Sequence, residues 1–74
     1  MNDFEKFQEV CKHCNPDQIA LYGYIMMNPA CTEDDMKKDV ETYTRDNLGY
    51  LMDFCYIEVH QRYDTANNEG HFHV

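Results

Sequence analysis

"CTEDDMKKDVETYTRDNLGYLMDFCYIEV", residues 31–59, is the stretch that decides the fold. Thr32, followed three residues later by Asp35, marks a helix start, and the acids after it complement the positive end of the helix dipole. Met36, Val40 and Tyr43 recur at helical spacing and predict a buried stripe on a helix over 33–43. Thr44 repeats the cap for a second helix over 45–55, with Leu48, Leu51, Met52 and either Phe54 or Cys55 facing inward. Arg45, Asp46, Asn47, Gly49, Tyr50 and Asp53 are left outside, and Gly49 weakens this helix by about 1 kcal/mol relative to Ala. From Tyr56 the apolar period becomes that of a strand. Ile57, Val59 and Tyr63 alternate with Glu58, His60 and Arg62, which predicts a half-buried strand over 56–63. "DTANNEG" supplies turn residues, and "HFHV" resumes the alternation over 71–74 with Phe72 and Val74 inward and His71 and His73 outward.

Upstream, Phe4, Phe7, Val10, Cys11 and Cys14 form the apolar stripe of a helix over 3–14. Asn15 then caps a helix over 16–27, with Pro16 in its first turn, Gln18 three residues after the cap and Pro29 beyond its end. Ile19, Ala20, Leu21, Tyr22, Tyr24, Ile25, Met26 and Met27 leave that helix no polar face, so it is expected to be covered on several sides.

The 74 residues fit a single domain over 1–74, whose one core buries only about 60% of the unfolded chain's surface. Acids outnumber bases 14 to 6, for a formal charge of −8, and the pI is near 4.6. Duplex-binding domains usually carry a basic stripe instead. No apolar run approaches a membrane span, and "MNDFEKFQEV" lacks the basic and apolar regions of a signal peptide, so a cytoplasmic protein with reduced cysteines is expected.

The succession of a buried helix, a loop, an acid-started helix, a tight turn, a second helix and a hairpin resembles the winged helix-turn-helix family. Thr32, Met36, Val40, Thr44, Leu48, Met52 and "YIEV" carry the resemblance, which covers residues 16–74. It implies a mainly α fold with a C-terminal β-hairpin, winged helix-turn-helix-like, to which the N-terminal helix is an addition. It also implies a recognition helix over 45–55 and a wing at the hairpin. In the family those elements meet DNA, and Arg45, Asn47 and Arg62 are the residues placed to do so here. The charge departs from that role. Over residues 43–74 two arginines face five carboxylates, Asp46, Asp53, Glu58, Asp64 and Glu69, for a net −3.

The leading expectation is therefore a small acidic protein that is not an enzyme and acts by protein–protein interaction, inhibiting or regulating a basic nucleic-acid-binding partner. Its partner-binding residues would be Asp46, Asn47, Tyr50, Asp53, Glu58, Asp64 and Glu69. The alternative is a dimeric DNA-binding transcriptional regulator. No catalytic residue is defended, because the chain has no serine and its three glycines are isolated. No cofactor is expected. Cys11 and Cys14 stand at a zinc-site spacing with Cys31 as a third donor, but a second close pair is missing and core packing explains them as well. If the strands pair, Glu58, His60, Arg62, His71 and His73 share one face, which reads as a solvated face, a pH-responsive surface or, through His60, His71 and His73, a metal site. The apolar circumference of helix 16–27, with Phe4, Phe7 and Val10, predicts a homodimer through residues 3–27.

Overall fold

The computed structural model describes residues 2–61 and 70–74. Four helices, α1 (Asp3–His13), α2 (Pro16–Met27), α3 (Glu33–Asp39) and α4 (Arg45–Asp53), precede strands β1 (Glu58–Gln61) and β2 (Gly70–His73). The protein is thus mainly helical, with a C-terminal antiparallel hairpin.

Every helix starts on a side-chain cap. Asn2 accepts from the amide of Glu5, and Thr44 from that of Asn47. Asn15 with Gln18, and Thr32 with Asp35, form reciprocal capping boxes. Such a cap contributes about 1 kcal/mol and fixes where each helix begins, which is why the starts of α2, α3 and α4 were legible from Asn15, Thr32 and Thr44.

The core gathers around α2, whose Leu21, Tyr22 and Ile25 are fully buried. Val10 of α1, Met36 and Val40 from α3 and its cap, Leu48 and Leu51 of α4, Ile57 and Phe72 complete it. The hairpin pairs Glu58 with His73, Val59 with Phe72, His60 with His71 and Gln61 with Gly70. It is fastened to the helices through the loop before α3. The Phe72 amide donates to Cys31 O at 2.8 Å, and the Ala30 amide donates to Phe72 O at 3.0 Å. Gly70 allows close strand contact, since a Cβ there would lie 2.8 Å from Val59 Cγ2.

Several boundaries and core assignments differ from the sequence reading. α1 ends at His13 rather than residue 14, where Cys14 is the cap. Helix α3 stops at Asp39, four residues early, because Val40 turns to extended backbone and Thr44 must also be extended to cap α4. Val40 is nevertheless buried and Tyr43 half-buried, so the stripe survives the shorter helix. The first strand covers only 58–61 among the described residues, and the second runs 70–73 rather than 71–74. Arg62, Tyr63, Asp64, Glu69 and most of the turn "DTANNEG" lie outside the described residues.

Phe4 and Cys11 are exposed, because α1 touches α2 along a narrower stripe of Phe7, Val10 and Cys14. Val10 is entirely enclosed by its own chain and so is unavailable to a second copy. On α2, Ala20, Met26 and Met27 are exposed, Met27 at 76%, since the neighbouring helices cover only one side of it. Met52 and Val59 are only partly covered, whereas Tyr50, expected outside, is half-buried.

Phe54 and Cys55 both point outward, against the expectation that one would be core. The cause is the end of α4. Cys55 adopts φ 60°, its amide donates to Met52 O at 3.0 Å, and the Tyr56 amide donates to Leu51 O at 2.9 Å. This is a Schellman motif with cysteine where glycine is usual. A residue with a Cβ costs about 1–2 kcal/mol there. Cys55→Gly is therefore expected to raise unfolding stability in urea by about 1 kcal/mol, while Cys55→Ala, which keeps the Cβ, leaves it near the parent value.

Candidate functional site

Helix α4 divides the candidate residues into separate surfaces. At about 100° of rotation per residue, Arg45, Leu48, Gly49 and Met52 lie on one flank, Tyr50 and Phe54 lie on the opposite flank, and Asp46 and Asp53 stand between them. Leu48 and Leu51 fix this rotation by entering the core.

The first flank faces the hairpin across a cleft of about 420 Å³. Leu48, Gly49, Met52, Val59, Gly70 and Phe72 give it apolar walls, and Thr32, Glu33, Asp34 and Arg45 form its polar end. Glu33 is engaged within the fold: it accepts from the Tyr43 hydroxyl and lies 3.9 Å from Lys37 Nζ. Among the described residues Arg45 has no carboxylate within ion-pair distance.

The opposite flank carries an aromatic row. Tyr50 and Phe54 have ring centroids 4.5 Å apart, and Phe54 and Tyr56 lie 6.3 Å apart with planes 19° from parallel. Phe54 is 58% exposed, and the Tyr50 hydroxyl donates to His13 O at 3.3 Å, which ties the row to the end of α1. Partial burial, followed by the charges of Cys14, Glu9 and Tyr50, pushes the Tyr56 phenol up from its ordinary value. Glu9 itself pairs with His13 Nε2 at 3.3 Å.

Of the expected partner-binding residues, Asp46, Tyr50 and Asp53 therefore share one side of α4. Asn47 is half-buried, and its amide is used by the Thr44 cap. Glu58 is exposed on the hairpin, 3.4 Å from His60 Nε2. Asp64 and Glu69, and Arg62 from the DNA-reading set, fall outside the described residues. The sequence reading placed either Phe54 or Cys55 in the core and left Phe54 out of the partner-binding residues. The signal that could have exposed it is the Asp46, Tyr50, Phe54 spacing of four, which places it on the outer side if the helix turns as Leu48 and Leu51 require.

The hairpin register puts Glu58 opposite His73 and His60 opposite His71, so these four share a face as expected. They do not converge. His71 Nδ1 lies 2.9 Å from Ala30 O, and because a carbonyl only accepts, Nδ1 is the protonated nitrogen of that ring. His60 instead packs edge-on to His73 at 5.1 Å. The cysteine candidates are similarly spread: Cys11 is exposed, Cys14 is half-buried with its thiol pushed up by burial and then by Cys11, and Cys31 is buried and bridged through its backbone to Phe72. Among the described residues no three His, Cys, Asp or Glu side chains are grouped to hold a metal ion.

No protein-family model matches the chain, and neither a curated protein nor a solved structure matches it. Among the described residues no helix is long and apolar enough to cross a membrane.

Two tyrosines join acids to the framework and set an alkaline limit. The hydrogen bond to Asp39, aided by desolvation, pushes Tyr24 up to about 12. Burial and then the bond to Glu33 push Tyr43 up to about 12, against a smaller opposing effect of Arg45. Since both folded values exceed the ordinary 10.0, the stabilisation is complete below pH 10 and is lost as pH rises toward 12. Thermal melts are expected to be flat to about pH 9 and to fall between about pH 10 and 12, with a smaller fall in Tyr43→Phe.

Proposed function

We propose that this is a small winged-helix protein without enzymatic activity. It acts by protein–protein contact, offering the outer side of α4 and the hairpin to a basic, nucleic-acid-binding partner and so inhibiting or regulating it by competition with nucleic acid. Support for the winged-helix reading comes from the order α2, α3, α4, hairpin, and from the fastening of β2 to Cys31, just before α3, which is where a wing would be held.

The observation that carries the interaction reading is the outer side of α4. A DNA-reading helix would present cations and amides there. This one presents Asp46, Asp53, Tyr50 and Phe54, and among the described residues no Lys or Arg lies within 4.0 Å of either aspartate. Tyrosines and phenylalanine supply contact area, and carboxylates supply attraction to a basic surface. The second reading, a dimeric DNA-binding regulator, draws on one observation, Arg45 at the first turn of α4 without an ion-pair partner among the described residues. Asp46 beside it opposes that reading by facing the same phosphates.

A homodimer through α1 and α2 remains part of the proposal, now resting on Phe4, 68% exposed, and Met27 rather than on Val10. Light scattering at high micromolar concentration is expected to give twice the chain mass of 8.9 kDa, and Phe4→Glu with Met27→Glu to give a folded monomer. A parent chain already monomeric would remove the dimer from the proposal.

For nucleic acid, duplex binding is expected to be weaker than about 1 mM at 150 mM salt, against the roughly 10⁻⁸ to 10⁻¹¹ M of specific binders. A nanomolar gel shift abolished by Arg45→Ala would put the DNA reading first.

A further inference from the structure

We infer that the row Tyr50, Phe54 and Tyr56, flanked by Asp46, Asp53 and Glu9, is a seat for an arginine-bearing segment of the partner. The guanidinium would lie flat on the exposed rings, and its N–H groups would reach the flanking carboxylates. This rests on the reading of the protein as a binder of a basic partner, and it names the chemistry that partner must present.

Three observations lead there. The first is that the rings adjoin one another, with Phe54 exposed between the half-buried Tyr50 and Tyr56. Centroids at 4.5 and 6.3 Å make one continuous aromatic surface, and Phe54, its middle member, remains 58% exposed. Folding does not require this, because the helix could end with a small polar residue at position 54 and keep the same Schellman bonds, which use only backbone atoms.

The second is charge. Asp46 and Asp53 lie along the same side of α4 as Tyr50 and Phe54, and Glu9 contacts His13, whose carbonyl accepts from the Tyr50 hydroxyl. A cation over an aromatic face is attracted by the ring quadrupole, and nearby carboxylates add to it. The third is the position of Asp53. It ends α4, where the helix dipole is negative and a carboxylate is unfavourable, and that last turn holds no basic residue. Asp46, in the first turn, is accounted for by the dipole alone. Asp53 is not.

Arginine rather than lysine follows from shape. A planar guanidinium stacks on a ring while its edge donates to carboxylates, whereas an ammonium is a strongly hydrated point charge that does one or the other. The seat therefore discriminates between two cations that an acidic surface alone would treat alike.

The test is a titration of the full-length protein with octa-arginine and with octa-lysine at 150 mM salt, followed by two-dimensional NMR. The arginine peptide is expected to bind several-fold tighter. The largest shifts should fall on the rings of Tyr50, Phe54 and Tyr56 and on the amides of Asp46 and Asp53. Phe54→Leu, which keeps apolar area but removes the ring, should erase the preference for arginine, and Asp53→Asn should weaken binding about threefold or more. Asp34→Asn, a carboxylate change in the cleft across α4, should change it less than twofold. Equal affinity for the two peptides, an unchanged preference in Phe54→Leu, or shifts centred on the cleft would each overturn the seat while leaving the acidic-binder reading in place. Failure of both peptides to bind below about 1 mM would overturn the two together.

Discussion

An isolated two-stranded hairpin is barely stable in water, so the hairpin of this protein depends on what holds its inner strand. That hold is concentrated at Phe72. Its side chain is 7% exposed in the core, its amide and carbonyl bond to Cys31 and Ala30, and its register partner Val59 carries the outer strand. His71 adds a side-chain bond to Ala30 O beside it. β2 is therefore positioned through the short segment 28–31, and that segment is itself a turn. The Cys31 amide donates to Asn28 O at 3.1 Å, Pro29 takes the first central position, and Ala30 the second at φ 67°. A type II turn favours glycine where Ala30 stands.

Ala30 and Cys55 are the described non-glycine residues in left-handed backbone, and they occupy equivalent roles. Each redirects the chain between a helix and the extended segment after it. Ala30 aims Cys31 at β2, and Cys55 turns the end of α4 into Ile57, whose burial anchors β1. The strain at each, about 1–2 kcal/mol, is tolerated because the core contacts that follow over-determine the path. In a 74-residue protein with one core this is a sizeable fraction of the whole stability.

These two junctions also mark where the sequence stopped being informative. Helix starts were legible because caps are local: Asn15, Thr32 and Thr44 act on amides three residues away. The buried stripes were legible from local spacing too, Met36, Val40, Leu48 and Leu51 around α3 and α4, and Ile57 and Phe72 in the hairpin region. Helix ends were not. Neither Val40 nor Cys55 has the residue type that signals a stop, and their backbone is dictated by what must pack next. The error at this helix end carried into the candidate site, because the reading left Phe54 or Cys55 for the core although the spacing from Asp46 and Tyr50 already sets Phe54 outside. The histidine face was read correctly as a face, but its failure to converge depends on the His71 bond to Ala30 O, a contact across 41 positions that no local pattern encodes. The cleft beside α4 was invisible for the same reason.

The acidic composition takes on a different meaning once its members are sorted by what they do in the fold. Asp35 closes the α3 capping box, Glu33 accepts from Tyr43, and Asp39 accepts from Tyr24. These carboxylates have structural work, and their charge is a consequence of it. The α4 aspartates make no such bond among the described residues, and Asp53 sits where the helix dipole disfavours it. Excess negative charge alone would maintain solubility from any exposed position. Its placement beside three touching aromatic rings, on the side of the helix turned away from the core, is a narrower arrangement than solubility requires. An aromatic surface without acids would invite non-specific association, and acids without the surface would bind any cation weakly. Together they fit the proposed partner, one that is both basic and planar at the point of contact.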